Sequence, residues 1–113
     1  MIFLVVTEDP GFRSALTTLC ECLGHEVEQA ENAPTALIVM RARRHDCVIC
    51  EETVLDRGGM QLLENCRAEG FQGGFLLLAP TEDEKIAKFN GDFVPWRDAY
   101  ALQQAIEKIE RRE

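Results

Sequence analysis

The stretch that decides the fold is residues 47–59, which read CVICEETVLDRGG. It begins with apolar residues that predict a short buried strand, and it continues into two carboxylates and a glycine turn. In α/β proteins, functional groups gather at the carboxyl ends of parallel strands. The first question is therefore whether Glu51 belongs to a working site.

Strand and helix patterns alternate on both sides of this stretch. Short, mostly apolar segments predict strands over 2–6, 46–50, 75–78 and 92–94, and a weak alternation predicts a less buried strand over 25–30. Helical spacing and capping residues predict helices that begin near Asp9, Asn32, Gly59, Thr81 and Asp98. The fourth of these helices has room only to about Phe89 and is short. The alternation predicts one α/β domain over residues 1–113, a doubly wound five-stranded parallel sheet covered by helices on both faces.

Composition narrows the class of partner. The chain of 113 residues has a formal net charge of −8 and only short basic runs. An acidic balance disfavours nucleic acid and anionic membrane surfaces. The apolar start at 2–6 is too short for a signal peptide, and no apolar run approaches the length of a membrane span. We expect a cytoplasmic domain whose partner is a protein.

The cysteines and histidines give little support to a metal or redox centre. Cys47 and Cys50 have C-x-x-C spacing, but residues three apart on a strand point to opposite faces. The pattern favours buried apolar thiols over redox sensing. His25 and His45 lack a cysteine or carboxylate at ligand spacing, which predicts surface or capping roles.

Taken in order, the elements resemble the receiver domain of two-component response regulators over essentially the whole chain. The matching stretches are EDPGFR at 8–13, GHEV at 24–27, AENA at 30–33, DCVI at 46–49, GMQLL at 59–63 and PW at 95–96. The resemblance implies the flavodoxin-like order of strands. It also implies a phospho-accepting aspartate at the end of the third strand, with Mg²⁺ held by an acidic pair after the first. A hydroxyl on the fourth strand and a lysine on the fifth then bind the phosphoryl oxygens.

This sequence departs from that pattern at nearly every functional position. Glu51 stands at the acceptor position, Ala79 at the hydroxyl position and Val94 at the lysine position. Without the ammonium and the hydroxyl, developing phosphoryl charge loses its protein partners. The longer side chain of Glu51 also displaces the carboxylate by one methylene. We therefore predict that Glu51 accepts no phosphoryl group.

Two other interpretations of the acidic residues stay open. Glu8, Asp9 and Glu51 could hold a residual Mg²⁺ or Ca²⁺, because hard cations prefer oxygen ligands. The simpler interpretation is that Asp9 caps a helix while Glu8 and Glu52 are solvated. Glu51 could also act as a fixed negative charge that holds the domain permanently in an active-like state.

The sequence therefore predicts a pseudo-receiver that works without phosphorylation in bacterial signal transduction or transcription control. No Ser/His/Asp order or phosphate-binding glycine loop indicates an enzyme. Trp96 and Tyr100 lie near the start of the last helix, the region that this family often uses for contacts. We expect docking to a protein partner or a homodimer through that helix and the strand beside it.

Overall fold

The computed structural model describes residues 1–52, 58–80, 91–96 and 98–112. The described strands are β1 (Ile2–Val6), β2 (Glu26–Ala30), β3 (Cys47–Glu51), β4 (Gly74–Ala79) and β5 (Asp92–Pro95). The described helices are α1 (Pro10–Cys22), α2 (Ala33–Ala42), α3 (Gly58–Ala68) and α4 (Ala99–Arg112). The short helix predicted between Thr81 and Phe89 lies outside the described residues. All five strands begin and end within one residue of their predicted bounds.

The five strands form one parallel sheet in the order β2-β1-β3-β4-β5. From β1 the chain moves outward to β2 and then returns to the other side of β1 as β3. The strand order therefore changes direction between β1 and β3. The carboxyl ends of these two strands border the switch point, where ligand sites of doubly wound sheets lie.

Each face of the sheet has its own core, because successive side chains of a strand point to opposite faces. On one face Phe3, Val5 and Ile49 pack with apolar residues of α1 and α4. On the other face Leu4 and Val48 pack with apolar residues of α2 and α3. The predicted covering of the sheet on both faces is confirmed.

The first two helices begin at the predicted caps. The side chain of Asp9 accepts backbone N–H bonds of 3.0 and 3.1 Å in the first turn of α1. Asn32 accepts one of 2.9 Å in the first turn of α2. A proline follows each cap within that turn, where its missing N–H costs nothing.

His25 joins the start of β2 to the end of the last helix. Its ring stacks on Phe3 with centroids 4.7 Å apart, and its Nε2 lies 2.9 Å from Glu110 Oε2. The side chain is almost fully buried. The predicted surface or capping role of His25 is wrong, because its carboxylate partner lies 85 residues away and short spacing could not reveal it.

His45 is likewise an interior residue. Its side chain has no exposed surface, and its Nε2 lies 2.6 Å from Glu28 Oε1 on β2. The surface or capping role predicted for His45 is therefore also wrong, because its partner Glu28 lies on β2, two positions away from β3 in the sheet. No helix within the four described ranges is long and apolar enough to cross a membrane.

Candidate functional site

The carboxyl edge of the sheet brings Thr7 and Glu51 together. Val6 pairs with Cys50 between β1 and β3, so the residues that follow them lie side by side and point to the same face. The Thr7 hydroxyl donates a hydrogen bond of 2.8 Å to Glu51 Oε1. Thr7 is fully buried and Glu51 is only 4% exposed. A buried carboxylate is costly without donors, so this bond helps to keep Glu51 at the edge.

A second donor to Glu51 comes from the other side of the site. Trp96 follows β5, and its backbone N–H donates to the carbonyl of Ala79 at 2.8 Å. Its indole Nε1–H donates to Glu51 Oε2. Indole combines an apolar ring with one N–H donor, which suits a half-buried position beside a carboxylate. The two oxygens of Glu51 are thus held from β1 and from the end of β5.

The two positions at which the resemblance implies a hydroxyl and a lysine lie in the apolar interior of this chain. Ala79 ends β4, Val94 lies in β5, and both are buried. Val94 pairs with Leu78, which pairs with Glu51, so these residues form one row across the sheet. Val94 packs with Leu78 in the core and brings no donor to that row. Trp96, two residues further along, supplies an N–H there instead.

The remaining acidic residues each have a local role or lie in solvent. Asp9 caps α1 as predicted, and its own N–H donates to Thr7 Oγ1 at 3.2 Å. Glu8 is exposed. Glu52 is half-buried, and its Oε1 accepts from the N–H of Met60 in the first turn of α3 at 3.4 Å. The prediction that Glu52 is simply solvated is wrong, because α3 begins beside it.

These residues do not fit the Mg²⁺ site that the fold implies. The hydroxyl of Thr7 and the indole of Trp96 both direct a proton at the Glu51 carboxylate, where a cation would meet like partial charge. Asp9 directs Oδ1 at the backbone of α1. Within the described part of the chain, no three His, Cys, Asp or Glu side chains are placed to hold a metal ion. A metal ion at Glu8, Asp9 and Glu51 stays a prediction that this geometry does not favour.

The buried cysteines are free thiols of low reactivity. Cys47 and Cys50 lie in the cores on opposite faces of the sheet, as their spacing predicts. Burial raises the pKa of Cys20 to about 12, and it also raises the pKa of Cys47 and Cys50. Cys22 is exposed on α1, so the prediction that the thiols are buried is wrong for this residue.

Sequence reasoning identified Glu51, Ala79 and Val94 but missed how Glu51 is held. Trp96 was predicted to lie on a contact surface, and no bond between Thr7 and Glu51 was predicted. One signal was present, because Trp96 lies two residues after Val94, and alternate residues point to the same face of a sheet. The length of the indole side chain then allows it to reach across β4 toward Glu51.

Comparison with solved structures places this geometry in a known fold. A CheY-like receiver domain from Methylobacillus flagellatus superposes with a TM-score of 0.84 at 20% identity, covering 96% of this chain and 98% of that one. The response regulator TrrA from Thermotoga maritima, in complex with Mg²⁺-BeF, gives 0.83 at 21% identity, covering 96% and 97%. The chemotaxis protein CheY4 from Vibrio cholerae gives 0.86 at 16% identity, with the same coverage.

The chain has the flavodoxin-like receiver fold. No protein-family model and no curated protein matches the sequence. Identities near 20% support a shared fold only, so the chemistry has to be inferred from the residues of this chain.

Proposed function

We propose that this chain is a pseudo-receiver, a module that works without phosphorylation in signal transduction or transcription control. The observation that carries the proposal is the set of hydrogen bonds that hold the Glu51 carboxylate. Its carboxylate stands at the acceptor position and accepts hydrogen bonds from Thr7 and Trp96 of the same chain. A carboxylate held in this way has a structural role, and the proposed function is non-enzymatic and needs no cofactor.

Phosphotransfer is disfavoured both by the direction of the Glu51 oxygens and by the side chains around them. An attacking carboxylate must direct an oxygen at phosphorus, and transfer depends on placement at the ångström level. Both Glu51 oxygens instead face donors of the protein. The phosphoryl oxygens would meet apolar Ala79 and Val94, which offer neither a hydrogen bond nor a positive charge.

We therefore expect no phosphorylation when the protein is incubated with acetyl phosphate and Mg²⁺. Intact-protein mass spectrometry measures the result, with a phosphorylatable receiver domain as the positive control for the reagent. Glu51→Asp is the matched variant, and it too should stay unmodified because Ala79 and Val94 are unchanged. A gain of one phosphoryl group in the wild type that disappears in Glu51→Ala would contradict the proposal.

One observation favours a second candidate, a receiver held permanently in an active-like state. The Glu51–Trp96 hydrogen bond joins the acceptor position to the segment after β5. In this interpretation the fixed negative charge of Glu51 holds that segment in place without a phosphoryl group. The partners here are the hydroxyl of Thr7 and an indole, in place of a β4 hydroxyl and a β5 lysine. Since these are not the partners that the phosphorylated state would engage, we prefer the proposal that the domain has a single static state.

The proposed contact surface consists of the outward face of α4 with Trp96 beside it. Tyr100 is 72% exposed and Trp96 is 38% exposed. About two to three turns further along the helix, Glu107, Lys108 and Arg111 lie on the side of Tyr100. In a chain with net charge −8, this aromatic face with two basic side chains and one acidic side chain complements an acidic surface, including that of a second copy.

A homodimer through this face is expected to dissociate in the variant Tyr100→Asp. Trp96→Asp is a less specific test, because Trp96 also holds Glu51. The matched control is Ile38→Asp, which alters an apolar side chain of α2 that is 65% exposed. Light scattering coupled to size exclusion measures the mass. A wild type that is monomeric at high concentration, or a dimer unchanged by Tyr100→Asp, would count against self-association through α4.

A further inference from the structure

A large cleft lies at the opposite edge of the sheet from Glu51. It has a volume of about 740 Å³ and opens between the carboxyl ends of α2 and α3, beside the amino ends of β3 and β4. Its apolar lining includes Leu37, Met40 and Phe71. This volume falls in the range of small-molecule sites, which combine an apolar surface with a few polar groups.

The polar part of the lining is unusually basic for this chain. Arg41, Arg43 and Arg44 line the cleft, against the carboxylates of Asp46 and Glu69. Three arginines therefore line one recess of a molecule whose net charge is −8. The end of α2 accounts for part of this charge, because cations stabilise helix carboxyl ends. It does not account for the recess itself, which these residues line together with Leu37, Met40 and Phe71.

One of these arginines already holds a carboxylate. Arg41 donates from Nε to Glu69 Oε1 at 2.9 Å and from Nη2 to Glu69 Oε2 at 2.7 Å. This two-pronged contact is the geometry by which arginine recognises carboxylate and phosphate groups. Both side chains are partly exposed, so Glu69 can turn into solvent and leave the Arg41 guanidinium to an incoming anion.

A second arginine is available for a ligand. Arg44 is exposed, and across ranges 1–52, 58–80, 91–96 and 98–112 it has no ion-pair or hydrogen-bond partner. Arg43, in contrast, forms an ion pair in which its Nη1 lies 2.7 Å from Glu26 Oε2. Asp46 is also engaged, because its Oδ2 accepts the N–H of Ile2 at 2.8 Å. Among the described charged side chains that line the cleft, Arg44 is thus the cation that is available to an anionic ligand.

We propose that this cleft binds a small organic anion that joins an apolar ring to a carboxylate, sulfonate or phosphate group. The ring lies against Leu37, Met40 and Phe71. Arg44 binds the anionic group, and Arg41 exchanges Glu69 for it. The site is independent of the proposed function at Glu51, since the two lie at opposite edges of the sheet.

The probe for this site is 8-anilinonaphthalene-1-sulfonate, which has the proposed chemistry and reports binding by fluorescence. We expect saturable binding to the native protein with one site per chain. Arg44→Gln should weaken binding about tenfold, as expected for the loss of one charge-assisted hydrogen bond. Arg112→Gln is the matched control, because it removes an exposed arginine of α4 that does not line the cleft, and it should leave affinity unchanged.

The position of the probe is read from ¹H–¹⁵N spectra of the labelled protein during the same titration. The expected shifts are confined to residues 37–46 and 66–73, on a spectrum that stays dispersed as in a folded protein. Three outcomes would overturn the proposal. They are binding that does not saturate, affinity unchanged in Arg44→Gln, and shifts at the apolar groove between α1 and α4 around Leu16 and Leu102.

Discussion

Thr7→Val is expected to lower the free energy of unfolding by about 2 kcal/mol, because it removes a donor from a buried carboxylate. The Thr7 hydroxyl lies 2.8 Å from Glu51 Oε1, and neither side chain has useful access to water. Valine has nearly the same shape as threonine, so the loss reports the hydrogen bonds of the hydroxyl, to Glu51 and from the N–H of Asp9, and not a cavity. Denaturant unfolding followed by circular dichroism measures the change. The matched control is Thr18→Val at an exposed position of α1, where a change within about 0.5 kcal/mol is expected.

A double-mutant cycle separates this bond from the other effects of each substitution. Glu51→Leu removes the acceptor and leaves the Thr7 hydroxyl without that partner. The double variant replaces both polar groups with apolar ones, which is often nearly neutral in a buried site. It should therefore be more stable than the sum of the single changes predicts, by about 1 kcal/mol or more. Additive effects would show that the Thr7–Glu51 contact contributes little, and they would weaken the argument that Glu51 has become a structural residue.

The fold was predictable because its signals are local and repeated. The strands β1, β3 and β4 are largely apolar runs of a few residues, and Asp9 and Asn32 mark the starts of two helices through a cap followed by proline. The predicted bounds of β3 end at Cys50, whereas the strand extends to Glu51. A charged residue at the end of a strand looks like the start of a loop unless its hydrogen-bond donors are known.

The candidate site was predictable only in part, because its contacts join residues far apart in sequence. The ends of strands identified Glu51, Ala79 and Val94 as neighbours. The donors to Glu51 lie 44 and 45 residues away, and no spacing rule relates them. The same holds for His45, whose partner Glu28 belongs to a strand two positions across the sheet. Side-chain direction and reach decide such contacts, and they follow from the packed structure.

Under the proposed function, these contacts explain how the acceptor position can keep its shape without phosphotransfer. The resemblance implies a lysine on β5 that reaches this position, and in this chain Trp96 joins the segment after β5 to it. The hydrogen bond then acts as a structural link in place of a functional one. A charged group that is satisfied by its own chain no longer needs a phosphoryl group, a metal ion or a lysine to be stable at the edge of the sheet.

Ile106→Ala is expected to lower the free energy of unfolding by about 3 kcal/mol, the largest effect of a single substitution proposed for this chain. Ile106 has no exposed surface and lies in the core that α4 shares with α1 and the sheet. Truncation removes apolar contacts and leaves a cavity that the rigid strands cannot fill. Ile38→Ala is the matched control, because Ile38 is largely exposed on α2, and it should cost less than about 1 kcal/mol.

Thermal and denaturant unfolding of the two variants measure the difference. If both isoleucine variants lose the same stability, or if Ile106→Ala unfolds like the wild type, α4 does not pack on the sheet as described. The outcome also bears on the proposed contact surface, because Tyr100 can present a fixed face to a partner only if Ile106 holds the opposite face of the same helix against the sheet. A large loss in Ile106→Ala with a small loss in Tyr100→Asp would therefore separate the side of α4 that maintains the fold from the side that is available for binding.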